Sequence, residues 1–115
     1  MAYILILDTQ AQFRQQLIRL IEQAGHRATA VATIVDATRI IHEITPDLLA
    51  TNVALTDGSS ANLVERLTKL GAKTLMMTGN SDRIREFEGA GRPYVSTPFT
   101  QELFLQRVEE ILAAA

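Results

Sequence analysis

The chain has 115 residues, 47% of them hydrophobic and 21% charged. This globular balance argues against disorder and suits a single domain, 1–115, that buries roughly 65% of the surface its unfolded form exposes. The formal net charge is −2 and Lys and Arg are scattered singly, which offers a polyanion no attraction and excludes nucleic acid as an expected partner. Without cysteine there is no disulfide, thiolate nucleophile or zinc-thiolate site, so any chemistry must use oxygen or imidazole, and a reducing compartment suits the chain. The amino-terminal apolar run is broken by Asp8, far short of a signal peptide or a membrane span. A cytoplasmic location and no membrane partner are expected.

Tyr3 to Leu7 reads as a buried strand, and Phe13, Leu17, Leu20, Ile21 and Ala24 then recur at helical spacing up to a stop at Gly25. "HRATAV" is a second, weaker strand. Ala37, Ile41 and Ile44 share one face of a helix that ends before Pro46, and "DLLAT" is the third strand. In "LTDGSS" the Gly, Asp and Ser residues serve turn and cap, after which Leu63, Val64, Leu67 and Leu70 form the stripe of a helix stopping at Gly71. "KTLMMT" is the fourth strand, followed by a charge-rich helix from Ser81 to about Glu88, "YVS" as a fifth strand and a turn at "TPF". Thr100 caps a last helix carrying Leu103, Phe104, Val108, Ile111 and Leu112, and the Ala113 to Ala115 tail is expected to fray.

Strands alternating with helices, with no hairpin signal between neighbours, predict an α/β fold of parallel strands joined by crossovers. In such a sheet ligands bind outside the carboxyl ends of the strands, where strand order reverses. The residues at those ends are Asp8, Asn52, Thr78 and Thr97.

The order and spacing of "ILILDTQ", "AGH", "PDLLATN", "MMTG" and "YVSTPF" resemble a response-regulator receiver domain, the CheY-like phosphoacceptor module of two-component signalling, over nearly the whole chain. The resemblance implies a (βα)5 doubly wound, five-stranded parallel sheet in the order 2-1-3-4-5. A working member has two adjacent acids after strand one, a phosphoacceptor aspartate ending strand three, a Thr or Ser after strand four, and a Lys before the Pro of strand five. Asp8, Thr78, Pro98 and Phe99 match that pattern. Thr9 replaces the second acid, Asn52 the phosphoacceptor and Thr97 the lysine.

These departures bear on chemistry. An amide oxygen is a weak nucleophile, so Asn52 is not expected to form an acyl phosphate. Mg²⁺ relies on carboxylates and phosphate oxygens, and Asp8 is the sole remaining acid of the set. Each charge lost at about 4 Å removes roughly 4 kcal/mol of attraction at an effective dielectric near 20. Mg²⁺ binding is therefore expected to be weak or absent, with no other cofactor, and a pocket stable without metal is expected because clustered carboxylates no longer repel. Asn52 and Thr9 are expected to hydrogen-bond with Asp8 or Thr97.

The expected function follows: a stand-alone, degenerate receiver without enzymatic activity, acting by phosphorylation-independent protein–protein interaction. Its partner would be an unidentified signalling protein. The resemblance assigns Tyr94 to the partner surface formed by the fourth helix, fifth strand and fifth helix, a face that also suits a homodimer, and it implies a cis bond between Thr97 and Pro98. One alternative is a relay protein that accepts phosphate on Asp57 or Asp8. Another is a flavodoxin-like small-ligand binder, weakened by the lack of glycine in "DTQAQF" to let the backbone approach a phosphate. His26 and His42 read as solvated surface, and Asp82, Arg83, Arg85, Glu86 and Glu88 as a solvated helix face.

Overall fold

A computed structural model describes residues 1–114. Strands β1 (Tyr3–Leu7), β2 (Arg27–Val31), β3 (Leu48–Asn52), β6 (Lys73–Thr78) and β7 (Tyr94–Ser96) form one parallel sheet in the order β2-β1-β3-β6-β7. With the short strands β4 (Ala54–Leu55) and β5 (Gly58–Ser59) set aside, this is the expected order 2-1-3-4-5. The central strands are nearly continuous apolar runs because both faces are covered: Ile4, Leu5, Ile6 and Leu7 are all fully buried.

Alternate residues along the strands feed two separate cores. On one face Ile4, Ile6, Leu48, Ala50, Leu75 and Met77 pack with Leu17 and Ile21 of α1 (Ala11–Gln23) and Phe104 and Val108 of α5 (Gln101–Ala113). On the other, Leu5, Leu7, Leu49 and Met76 meet Ala37 and Ile41 of α2 (Ile34–Glu43) and Leu63, Val64 and Leu67 of α3 (Ala61–Lys69). Helix α4 (Ser81–Ala90) has no buried residue and rests on this second core through half-buried Phe87.

Several local expectations are corrected. The "LTDGSS" segment is more than a turn: Ala54 pairs with Ser59 and Leu55 with Gly58 in an antiparallel hairpin. Ile44 is the residue that caps α2 and is 44% exposed, and Leu70 caps α3 at 56% exposed, so neither joins its helix's buried stripe. Helix α4 continues through Gly89 and stops at Gly91, whose φ of 66° a side chain would disfavour. Thr100 caps α5 as expected, accepting from Leu103 N–H at 3.1 Å. Ala113 closes that helix, and the expected fraying of Ala115 lies outside the described residues. No described helix is long and apolar enough to cross a membrane.

Phe104 is fully buried and stacks on Phe99 with centroids 5.5 Å apart. Phe104→Ala is expected to cost about 3–5 kcal/mol of unfolding free energy in urea denaturation. A change under about 1 kcal/mol would place the core elsewhere.

Candidate functional site

The register brings the predicted residues together. Leu7 pairs with Thr51, and Asn52 with Met77, so Asp8, Asn52 and Thr78 emerge side by side at the carboxyl edge of the sheet. A cavity of ≈ 370 Å³ opens there, lined by Asp8, Thr9, Gln10, Phe13, Asn52, Thr97, Pro98 and Phe99. Thr78 is buried beside this crevice without being one of its walls. The Thr97–Pro98 bond is cis, as expected from the resemblance.

Asp8 is only 4% exposed. Its Oδ1 accepts from Gln10 N–H at 2.9 Å, while its Oδ2 has a long contact, 3.4 Å, from the Asn52 amide nitrogen. The Asn52 oxygen accepts from Val53 N–H at 3.0 Å, which fixes the amide with its nitrogen toward the carboxylate. This meets the expectation that Asn52 bonds to Asp8. Thr9, exposed, and Thr97, half-buried, stand on the cavity wall outside that contact.

Three features escaped the sequence reading. Arg14 donates from its guanidinium to the Asp8 main-chain carbonyl at 2.8 Å, placing a cation near the crevice. The first turn of a helix that starts at a strand's carboxyl end lies over that end, which is the signal that could have found it. Gly79 runs so close to the last turn that a Cβ would come within 2.9 Å of the Thr97 carbonyl and hydroxyl oxygens, so this loop tolerates only glycine. Asn80 caps α4, accepting from Asp82 and Arg83 N–H, and its own N–H donates to Thr78 Oγ1 at 3.1 Å.

Residues considered as alternatives lie elsewhere. Asp57, at the tip of the β4–β5 hairpin, accepts from Ile34 N–H at 3.0 Å and Val35 N–H at 3.1 Å, and so binds the amino terminus of α2. The Ile34 N–H chiefly holds its carboxyl below the usual value; Val35 adds to this and partial desolvation opposes it. His42 is exposed as expected, but His26 is not solvated surface. Its side chain is 13% exposed, Nδ1 accepts from Ala2 N–H at 2.9 Å, and Nε2 lies 2.6 Å from Glu109 Oε1. The ring therefore carries its proton on Nε2 and ties the chain's start to α5. The α4 charges form exposed i,i+3 pairs, Arg83 with Glu86 and Arg85 with Asp82. Tyr94 donates to Glu88 Oε2 at 3.0 Å, and that bond pushes its phenol above the usual value.

A divalent cation does not fit this set. Asp8 supplies the crevice's one carboxylate, Arg14 adds opposing charge nearby, and no three His, Cys, Asp or Glu side chains cluster among the described residues.

No protein-family model matches the chain. It is 30% identical to the sensory transduction protein LytT of Enterococcus faecalis over 114 residues, 94% of this chain and 47% of LytT. It spans about half the length of the curated relatives it matches. A putative response regulator from Chloroflexus aurantiacus superposes with a TM-score of 0.85 at 27% identity, over 98% of each chain. The chain has the fold of a CheY-like response-regulator receiver domain. A further receiver, the beryllofluoride-activated NtrC4 receiver domain dimer, also aligns with a TM-score of 0.85, at 20% identity and over 97% of each chain. Within the receiver frame, Asp57 sits at the hairpin tip after β3, outside the crevice wall.

The Asp57 bonds give a pH signature. Its folded pKa lies below the unfolded value of about 3.9, so the stabilisation is present above that value and is lost as pH falls through the folded one. Asp57→Asn should lower the melting temperature at pH 7, with the gap to the parent closing at about pH 2. An equal gap at both pH values would show that the charge contributes nothing.

Proposed function

We propose that this receiver is a signalling module that acts by binding another protein, without enzymatic activity and without taking a phosphoryl group at the end of β3. The observation that carries the reading is Asn52: the side chain at the crevice is an amide, pinned by Val53 N–H and turned toward Asp8. An amide oxygen so engaged is a poor nucleophile toward phosphorus, and no basic group beside it changes that. Thr97 supplies a hydroxyl where a cation would be needed to hold a transferred phosphoryl group.

The relay alternative is less favoured at Asp57, because each of its oxygens accepts a bond from the start of α2. Asp8 is buried and faces Asn52. The partner surface in this proposal is the face of α4, β7 and α5 around Tyr94, where the phenol is held by Glu88. A homodimer through that face is part of the proposal, since isologous contacts are the commonest oligomer interface.

Incubation with acetyl phosphate and Mg²⁺, read by intact mass, tests the reading. No phosphoryl adduct is expected on the parent protein, nor on Asn52→Asp, since Thr9 and Thr97 still leave metal and phosphoryl group under-supported. An adduct on the parent would make the relay the function. Rapid labelling of Asn52→Asp alone would show that the amide is the one obstacle.

A further inference from the structure

The crevice joins a buried anion to an aromatic wall. Phe13 and Phe99, with ring centroids 5.5 Å apart and planes tilted by 54°, line the same cavity as Asp8. We propose that this cavity binds a protonated primary amine on a short alkyl body, with Asp8 as its counter-ion. The inference rests on the preceding reading that the crevice has neither divalent-ion nor phosphoryl chemistry.

A buried carboxylate is costly unless charge or several good hydrogen bonds compensate it. Asp8 has one normal backbone bond on Oδ1 and a 3.4 Å amide contact on Oδ2. No Lys, Arg or His nitrogen forms an ion pair with it among the described residues. An ammonium brings three donors and a single positive charge, and a charge-assisted N–H to carboxylate bond is shorter and stronger than the amide contact present. Thr9 and Thr97 offer further hydroxyl acceptors on the same wall.

The rest of the lining decides between cations. Phenyl faces attract an ammonium and bury an alkyl chain, while they give a hydrated dication nothing to coordinate. The volume, ≈ 370 Å³, lies at the small end of ligand sites and admits a body of a few carbons with room to spare. Arg14 is the nearby charge that opposes a second cation; its guanidinium is held on the Asp8 main-chain oxygen and leaves the carboxylate unpaired.

The test is an amide-resolved NMR titration of the full chain with n-butylammonium chloride against KCl at equal ionic strength. Saturable shifts at Thr9, Gln10, Asn52 and Val53 are expected with the amine and not with KCl. Binding should weaken about tenfold or more in Asp8→Asn and by a smaller factor in Phe99→Leu. Thr97→Lys, which puts an ammonium of the chain's own on the cavity wall, should abolish it. Linear shifts, identical shifts from KCl, or unaltered binding by a folded Asp8→Asn would overturn the proposal. Should Asp8→Asn not fold, unchanged binding by both Phe99→Leu and Thr97→Lys would do the same. A phosphoryl adduct on the parent protein would instead remove the reading beneath it, whereas an unlabelled protein that ignores the amine overturns this inference alone.

Discussion

The pairing of β1 with β3 is the constraint on which the site depends. Both strands are buried on both faces, so a slip of β1 by one residue would send Leu5 and Leu7 into the opposite core and reverse every side chain after them. The apolar runs thereby hold Leu7 opposite Thr51 and deliver Asp8 and Asn52 as neighbours at the sheet's edge. Hydrophobic burial fixes the positions of these two polar groups. Their identity, one carboxylate and one amide, then decides what the crevice can hold.

Electrostatics separates this crevice from one built for metal and phosphate. Like charges packed at hydrogen-bonding distance repel, whereas an amide beside a carboxylate offers a donor and adds no repulsion. The loops are closed in keeping with this. Gly79 lets one loop touch Thr97, the Thr78 hydroxyl oxygen is used by Asn80 N–H, and the hairpin after β3 is anchored to α2 through Asp57. On the outer face, α4 is held by caps, exposed ion pairs worth little each, and the Tyr94–Glu88 bond. With no residue fully buried, it is the helix least committed to the core and the one freest to answer to a partner.

The alternation of strands and helices was legible because apolar strand runs such as "YILIL" and the "LMM" within "KTLMMT" alternate with helical stripes such as Phe13, Leu17 and Ile21; the strand order came from the receiver resemblance. The crevice residues were legible because they stand where an apolar strand run ends, Asp8 directly after Leu7 and Asn52 and Thr97 one polar residue later. Periodicity misled at helix ends: Ile44 and Leu70 continue their stripes one residue past the last full turn, where the chain has already left the core. The hairpin was hidden because each strand has two residues and its tip, Thr56-Asp57, followed by Gly58, carries ordinary turn chemistry. Partners distant in sequence were out of reach. His26 meets Ala2 and Glu109, and Asp57 meets Ile34 and Val35, through contacts that only the assembled fold brings about.

The central claim is that one buried carboxylate, with only neutral side chains beside it on the cavity wall, leaves this crevice unable to grip magnesium. Mg²⁺ titration followed by the amide signals of Thr9 and Asn52 tests it most directly, with a Thr9→Asp/Asn52→Asp double variant run in parallel. The parent should show no saturation up to about 10 mM while the double variant saturates below that concentration. Saturation of the parent in the low millimolar range or tighter would contradict the claim.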